Sequence, residues 1–397
     1  MCLGVPQSTR PRRATRRGPS RSNARRIAAK HSSINGIGFR GRNLAAQVRD
    51  PDRYTKIPAA SGWHGPGGLW YTMAMARPSS YTPKHVHRRI GWIGTGVMGL
   101  PMAAHLLDEG HTLVVHSRTA SKAQPLLDRG ATWAQTPAEA ADAAEVVFSM
   151  VGFPHEVEAV HLGPRGTLSA PRPPQVIVDM TTSRPSLAVE IHAQADRRGV
   201  ASIDAPVSGG DVGARQATLS IMVGAEPADF ERVRDLLQIM GRTVIRHGPP
   251  GAGQHVKMVN QVLVAGTMIG VCEGLLYAAK AGLDPLAVIK SVASGAAGSW
   301  LITNLGPRII RRDFEPGFYV EHFIKDLSIS LAEAQRMGLS LPGLALARQL
   351  YGEVEAQGHG RRGTQALMLA LERLNQLDDP ASEPRENHPG TCPEPIH

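Results

Sequence analysis

The chain has 397 residues, 42% of them hydrophobic, which is enough for two globular domains with sizeable cores. Its net charge of +10 is concentrated in residues 1–74, which hold 14 basic and two acidic residues and leave the remainder at −2. A basic excess confined to one segment gives no reason to expect nucleic-acid binding by the folded body. Three cysteines without metal or redox spacing exclude a disulfide framework and fit a reducing compartment.

Residues 1–87 lack a sustained apolar period and are rich in Arg, Ser, Gly and Pro. Such a segment buries too little apolar surface to offset its ordering entropy, so we predict a disordered basic extension. It could be a mitochondrial transit peptide, a nucleic-acid-binding arm, or an extension without a role translated from upstream of Met73 and Met75. The third interpretation is favoured. It predicts a cytoplasmic protein in which residues 1–74 are dispensable, whereas a transit peptide would make it mitochondrial.

Residues 90–99 combine a short apolar run with the pattern G-x-G-x-x-G, and a helical pattern follows over residues 97–109. Gly94 permits a tight turn out of a strand, Gly96 lets a pyrophosphate approach the backbone, and Gly99 lets the helix pack closely. The N-terminal N–H groups of this helix would point at the phosphates. The predicted cofactor contacts of this turn are Gly94, Thr95, Gly96, Val97, Met98 and Gly99.

Short apolar runs alternate with helical patterns up to about residue 248, which predicts a doubly wound, mostly parallel sheet. The predicted strands after the first lie at 112–116, 145–151, 175–180, 201–206, 218–223 and 243–246. The longest predicted helices among them lie at 185–198 and 227–240.

After Gly253 the strand signals stop, and residues 254–281 form one long apolar helical pattern. Polar residues interrupt it, so we predict a buried helix between two domains rather than a membrane span. More helical patterns follow, and the Pro- and Glu-rich tail is predicted to be disordered. The predicted organisation is a disordered extension at 1–87, a dinucleotide-binding domain at 88–250, an all-α domain at 251–377 and a disordered tail at 378–397.

The segment after the second strand bears on cofactor choice. Domains that bind NAD carry an acid there, about 20 residues beyond the first glycine, to hold the ribose 2′-hydroxyl. This chain has Ser117, Arg118 and Thr119 instead. A guanidinium flanked by hydroxyls suits a 2′-phosphate, which favours NADP. NAD remains possible if Arg118 only stacks on adenine.

His155 and His161 superficially resemble a zinc-binding helix. Their six-residue spacing does not match H-E-x-x-H and does not put both on one helix face. We predict surface histidines and no metal site.

Four stretches, taken together in order and spacing, resemble the β-hydroxyacid dehydrogenase family over about residues 88–375. They are residues 93–99 (IGTGVMG), 204–210 (DAPVSGG), 251–261 (GAGQHVKMVNQ) and 325–327 (KDL). The family includes 3-hydroxyisobutyrate dehydrogenases and tartronate, glyoxylate and succinic semialdehyde reductases. The resemblance implies a Rossmann domain and an all-α domain joined by a long interdomain helix, the division that the residue patterns also predict. We expect a homodimer or homotetramer.

The resemblance implies that Lys257 is the catalytic acid/base. Burial on an apolar helix would lower the pKa of its ammonium, so that it exchanges a proton near neutral pH. Asn260 lies on the same helix face and would orient a substrate oxygen. In the motif after the strand at 201–206, Ser208, Gly209 and Gly210 would bind the substrate carboxylate.

Three further positions in the α-domain and sheet match the family. The resemblance implies a substrate contact at Asp326 and cofactor contacts at Thr182 and Lys325. Val151 would contribute a backbone cofactor contact, although residues 150–154 read MVGFP where many members have Met-Leu-Pro. That departure alters the wall of the pocket.

The predicted function is NAD(P)-dependent interconversion of a small β-hydroxy acid and its semialdehyde, with no nucleic-acid or membrane partner for the folded body. Three alternatives stay open at this point. A 6-phosphogluconate dehydrogenase would have His-Asn where this chain has Asn260 and Gln261. An imine reductase, or a catalytically inactive chromatin-associated member that uses the basic arm, would lack the lysine at position 257.

Overall fold

The computed structural model describes residues 87–377, all within one compact unit, Pro83–His397. The two extensions that are predicted to be disordered, residues 1–87 and 378–397, lie outside the described residues apart from residue 87. Nine strands are found in the described residues. They are β1 Arg89–Ile93, β2 Thr112–His116, β3 Thr132–Trp133, β4 Val146–Ser149, β5 Val176–Asp179, β6 Ala201–Asp204, β7 Val207–Ser208, β8 Leu219–Gly224 and β9 Gly241–Gly248.

The nine strands form one sheet in the order β3-β2-β1-β4-β5-β6-β8-β7, with β9 beside β8. The first six are mutually parallel, so their carboxyl ends meet at one edge, where doubly wound sheets bind ligands. β8 runs antiparallel to β6 and β7 and parallel to β9. The predicted Rossmann class and mostly parallel sheet are confirmed.

Helices cover both faces of the sheet, which explains why its central strands, β4 and β5, are buried at every position. They are α1 Gly99–Asp108, α2 Gln124–Leu127, α3 Pro137–Asp142, α4 Pro154–Leu162, α5 Pro185–Asp196, α6 Gly210–Arg215, α7 Pro227–Glu231 and α8 Arg234–Met240. The helix predicted at 227–240 is broken in two, because Val233 has the non-helical angles φ −126°, ψ 0°. Trp92 and Phe148 stack at 5.6 Å between ring centroids in the core of this layer.

The rest of the described chain is helical, as predicted. Its helices are α9 Ala252–Lys280, α10 Pro285–Val292, α11 Trp300–Asn304, α12 Gly306–Ile310, α13 Val320–Arg336, α14 Pro342–Val354 and α15 Leu367–Leu374. α9 follows Gly251, whose φ of +93° is accessible to glycine. A second core, which includes the edge-to-face pair Phe323 and Tyr351 with 4.9 Å between centroids, lies against α9.

α9 is buried on only one side, so the prediction of a buried helix is wrong for its other face. Val259, Leu263 and Tyr277 are 58%, 65% and 76% exposed. The expectation that its polar residues rule out a membrane-span pattern is also wrong: by length and composition alone, with a window of mean hydropathy 1.8, α9 could cross a membrane. Core helices of soluble proteins meet the same criterion, and a third of that window is buried in the fold.

Candidate active site

The glycine turn lies at the carboxyl end of β1 and leads into α1. Gly94 has φ +98°, and a side chain there would collide with the Met150 carbonyl. A side chain on Gly99 would collide with the Gly94 carbonyl, whereas one on Gly96 would meet nothing within 4 Å. The turn is thus tight at its ends and open at its middle, as close approach of a pyrophosphate requires. Thr95 is buried, and its N–H donates to the Ser117 hydroxyl at 3.4 Å.

The segment that follows β2 lies beside this turn. Arg118 extends from it with 87% of its side chain exposed, and its guanidinium contacts the Glu156 carboxylate at 2.5 Å. Glu156 belongs to the first turn of α4, and no sequence argument singled it out. The predicted contacts Ser117 and Thr119 flank Arg118 in the chain.

Asp179, at the end of β5, organises the loops that follow β4 and β5. Its carboxylate accepts hydrogen bonds from the Ser149 hydroxyl at 2.8 Å and the Thr181 N–H at 3.1 Å. The Thr181 hydroxyl in turn accepts from the N–H of Val151 at 3.0 Å. Burial raises the pKa of Asp179 to about 6, against these hydrogen bonds. The predicted cofactor contacts Val151 and Thr182 therefore lie in the two loops that the buried Asp179 carboxylate connects.

The prediction that His155 and His161 are surface residues is wrong for His161. His155 is exposed, but the imidazole of His161 is completely buried, 2.9 Å from the hydroxyls of both Ser149 and Thr167. Burial lowers its pKa to about 4, so the ring is neutral. Ser149 uses its proton on Asp179, so the Nε2 atom of His161 donates to Ser149 and the Nδ1 atom accepts from Thr167.

Lys325, on α13, connects the helical domain to the loops of the sheet. Its Nζ atom donates to the Thr182 carbonyl at 2.7 Å and to the Gly152 carbonyl at 3.0 Å. The same atom lies 6.0 Å from the ring centroid of Phe153, in the segment that departs from the family pattern. Two of the sequence-predicted cofactor residues, Thr182 and Lys325, are thus in direct contact.

Lys257 lies in the second turn of α9, with only 6% of its surface exposed. Its Nζ atom donates to the Val207 carbonyl at 2.9 Å, which places it beside the predicted substrate motif. Burial lowers the pKa of this ammonium to about 8, while the Asp326 carboxylate raises it and the Lys325 charge lowers it further. An amine with this pKa can give or take a proton near neutral pH.

A buried chain of amides holds the neighbourhood of Lys257 together. The Asn260 Nδ2 atom donates to the Gln261 Oε1 atom at 2.7 Å, and the Gln261 Nε2 atom donates to the Asp326 carboxylate at 2.5 Å. The other oxygen of that carboxylate lies 3.1 Å from the Nζ atom of Lys325. Asp326 is completely buried, which favours a role in holding Gln261 and Lys325 over direct contact with a substrate.

The predicted carboxylate-binding motif forms the turn between β7 and α6. Gly209 has φ +129° and Gly210 has φ +62°, so both occupy backbone conformations that favour glycine. Ser208 is half-buried and Gly209 is exposed, which leaves a hydroxyl and backbone N–H groups open to a small anion. The turn faces Gly317 of the helical domain, where a side chain would collide with Asp211.

Two buried residues that were assigned no role hold α9 against the sheet. Asp204 accepts hydrogen bonds from the N–H groups of Gly251 at 2.6 Å and Gln254 at 2.8 Å, where α9 begins. Burial raises the pKa of Asp204 to about 7, against these donors. The Gln254 side chain donates to the Thr181 carbonyl at 2.7 Å and accepts from the Ser183 N–H at 2.9 Å. Asp204 belongs to the motif at residues 204–210 and Gln254 to the motif at residues 251–261. Their presence in these motifs was the sequence feature that could have indicated a role.

The residues present fit a nicotinamide dinucleotide. The open middle of the glycine turn and the N-terminus of α1 suit a pyrophosphate. Arg118 follows β2 on one side of β1, while Thr182 follows β5 on the other side, where Lys325 contacts Thr182 and Lys257 donates to Val207. This arrangement can bind a dinucleotide and place a proton-transferring amine beside its reactive end.

Two family models and several known proteins match most of the described residues. The model of the NAD-binding domain of 6-phosphogluconate dehydrogenase matches residues 89–248, and that of the NAD-binding region of NADP-dependent 3-hydroxyisobutyrate dehydrogenase matches residues 251–371. A protein of Arabidopsis thaliana named probable 3-hydroxyisobutyrate dehydrogenase-like 1, mitochondrial, is 50% identical over 79% of this chain and 93% of the relative. The 2-hydroxy-3-oxopropionate reductase of Escherichia coli is 38% identical over 72% of this chain and 98% of the relative.

Among solved structures, the 3-hydroxyisobutyrate dehydrogenase of Mycobacterium tuberculosis with L-serine matches with a TM-score of 0.65 and 29% identity. The match covers 72% of this chain and 99% of that one. The expected resemblance, fold class and dependence on a nicotinamide cofactor are confirmed, and the relatives favour the dehydrogenase over the alternatives. The chain belongs to the β-hydroxyacid dehydrogenase family and is an NAD(P)-dependent oxidoreductase that acts on the CH–OH group of hydroxy acids.

Proposed function

We propose that the enzyme interconverts a three- or four-carbon β-hydroxy acid and its semialdehyde, with Lys257 as the acid/base. The observation that carries this proposal is a buried amine of pKa about 8 that donates to the backbone next to the motif Ser208–Gly210. Ser208, Gly209 and Gly210 bind the substrate carboxylate, and Asn260 orients the substrate oxygen.

A bound nicotinamide would supply the hydride chemistry, in exchange with the alcohol or aldehyde carbon of the substrate. In oxidation, the neutral Nζ atom of Lys257 takes the hydroxyl proton; in reduction, its ammonium returns a proton to the carbonyl oxygen. Its positive charge also stabilises the negative charge that develops on that oxygen. The Val207 carbonyl orients the amine, and Asp326 acts through Gln261 to hold Asn260.

A substrate panel tests the proposal. 3-Hydroxyisobutyrate and L-serine would be oxidised, and 2-hydroxy-3-oxopropionate reduced, with each cofactor in turn, while the absorbance of reduced nicotinamide is followed. We expect at least one compound to react with the parent enzyme and to react at least a hundredfold more slowly with Lys257→Ala. A panel without turnover, or equal rates for both enzymes, would refute the proposal. Activity on 6-phosphogluconate but on none of the three compounds would point to the sugar-phosphate alternative.

We propose that NADP is preferred to NAD because Arg118 meets the 2′-phosphate. The exposed guanidinium follows β2, and Ser117 and Thr119 flank Arg118 in the chain, so these side chains are available to a 2′-phosphate. Arg118→Ala should weaken NADP binding much more than NAD binding, as measured by titration calorimetry. Equal weakening of both would make Arg118 an adenine-stacking residue.

We infer that the exposed face of α9 binds a second copy of this chain. Val259, Leu263 and Tyr277 lie on that face, and three exposed glycines at four-residue spacing leave open space between them: Gly266, Gly270 and Gly274. A contiguous exposed apolar surface of this kind marks an interface. Leu263→Lys should dissociate the oligomer in sedimentation velocity, whereas Leu374→Lys, at another exposed leucine, should not. A parent chain that sediments as a monomer would overturn the inference.

The cytoplasm is the proposed compartment, and mitochondria are the alternative if residues 1–87 act as a transit peptide. The name of the Arabidopsis relative supports that alternative for its own protein only. Fusing residues 1–87 to a fluorescent protein would distinguish the two. The absence of a nucleic-acid or membrane partner for the folded body stays a prediction, which salt-dependent DNA binding and vesicle flotation would test.

A further inference from the structure

The structure places a carboxylate beside the segment after β2, where NAD-binding domains carry an acid and this chain has none. The sequence predicts an acid-free segment after β2, yet the structure brings Glu156 to within 2.5 Å of the Arg118 guanidinium. Glu156 is only 20% exposed, in contrast to the 87% exposure of Arg118. The acid comes from the start of α4, more than 30 residues later in the chain.

This ion pair crosses the groove above the glycine turn. Arg118 follows β2 and Glu156 follows β4, and β1 lies between these two strands in the sheet. The glycine turn begins at the end of β1. A contact between residues beyond β2 and β4 therefore spans the carboxyl end of β1, which is where a dinucleotide lies in this fold.

Glu156 is the fixed member of the pair. Its second oxygen accepts hydrogen bonds from the N–H groups of Gly152 at 2.8 Å and Phe153 at 3.1 Å. The guanidinium of Arg118 stands at the end of a long, solvent-exposed side chain, so it can turn toward a ligand at little cost in free energy. When a cofactor enters, the guanidinium can leave the carboxylate, but the carboxylate stays where it is.

We propose that Glu156 is a specificity-determining residue that opposes the NADP preference set by Arg118. The proposal rests on the assignment of Arg118 to the 2′-phosphate. To bind that phosphate, Arg118 must give up its contact with Glu156, and a fixed negative charge then remains near the phosphate dianion. With NAD the carboxylate can instead accept a hydrogen bond from the ribose 2′-hydroxyl, as the acid at the end of β2 does in other dinucleotide-binding domains.

Cofactor affinities, measured by titration calorimetry without substrate, test this role independently of turnover. Glu156→Gln removes the charge, and its amide oxygen can still accept the hydrogen bonds from Gly152 and Phe153. We expect it to tighten NADP binding and to leave NAD binding equal or weaker, raising the ratio of the two affinities about fivefold to tenfold. The gain should shrink at high salt, because exposed charges are screened.

Glu158→Gln is the matched control. It makes the same charge change two residues away on α4, and its carboxylate contacts Arg184 at 3.5 Å in a half-exposed pair. We expect it to leave the affinity ratio within twofold of the parent. An equal rise in both Gln variants would make the effect one of net charge and overturn the proposal.

Two results separate this inference from the proposed cofactor preference. If Arg118→Ala weakens NADP selectively while Glu156→Gln leaves the ratio unchanged, the role of Glu156 is overturned and that of Arg118 stands. If Arg118→Ala weakens both cofactors alike, the 2′-phosphate assignment fails and this inference fails with it. A Glu156→Gln enzyme that binds both cofactors more weakly to the same extent would make Glu156 a loop anchor only, which also overturns the proposal.

Discussion

The protonation state of Lys257 should determine how the reaction depends on pH. Burial, with the Lys325 charge, holds the pKa of this ammonium at about 8, compared with 10.5 for an unperturbed lysine. The difference corresponds to about 3 kcal/mol. At pH 8 it raises the neutral fraction of the amine from on the order of 1 in 300 to about half.

The direction of the pH dependence follows from the proton that each half-reaction needs. Oxidation of the alcohol requires the neutral amine, so kcat/KM should rise with pH and level off above about 8. Reduction of the semialdehyde requires the ammonium, so its kcat/KM should fall over the same range. Lys257→Ala should lower kcat by about 10²–10⁴-fold and should barely change cofactor affinity, because the phosphate contacts lie elsewhere.

A substitution at Asp326 is a second way to change the pKa of Lys257. Its carboxylate raises the pKa of Lys257, so Asp326→Asn should move the rising limb of the oxidation profile to lower pH. Glu321→Gln makes the same charge change on α13 at a carboxylate that contacts Arg361, and should leave the limb in place.

Initial rates between pH 6 and 10, with reduced nicotinamide followed by absorbance, supply both profiles. An oxidation profile that is flat from pH 7 to 9 would refute the reasoning, as would a limb that moves to higher pH in Asp326→Asn. Near-parent turnover by Lys257→Ala would remove the acid/base role altogether. Loss of cofactor binding in that variant would instead make Lys257 a cofactor or folding residue.

Three further changes give measurable outcomes. His161 titrates near 6.5 when unfolded and near 4 when buried, so its own pH dependence lowers the free energy of unfolding by about 2 kcal/mol from pH 7 to pH 5, opposite in sign to the contributions of Asp179 and Asp204, whose pKa values are raised. In urea unfolding, His161→Gln should lose that dependence and His155→Gln should keep it; equal behaviour of the two would contradict the buried neutral ring. Asp204→Ala should lower the free energy of unfolding by about 2–4 kcal/mol, because two buried N–H groups lose their acceptor, and a loss below about 1 kcal/mol would refute that anchor. A chain that begins at Met75 should keep kcat/KM within about tenfold of the full chain, and a larger loss would assign residues 1–74 a role in catalysis.

The features that the sequence predicted well depend on local constraints. Gly94 and Gly99 are required by the backbone of one turn, whatever the rest of the chain does. Strand and helix periods follow from which face each element buries, so the parallel sheet and the helical domain could be predicted in order. The family resemblance singled out Lys257, and its position on an apolar helix indicated that burial would lower the pKa of its ammonium.

The features that only the tertiary structure decided depend on residues far apart in the chain. Glu156 faces Arg118 because the strand order puts β1 between β2 and β4, and no local pattern encodes that neighbour. His161 is buried because two hydroxyls, 12 residues before it and six residues after it, satisfy both ring nitrogens. The exposed face of α9 could not be predicted either. The sequence pattern of an apolar helix is the same whether neighbouring elements surround the helix or cover only one side. Periodicity reports how apolar a face is, whereas only the packed fold determines what, if anything, lies against it.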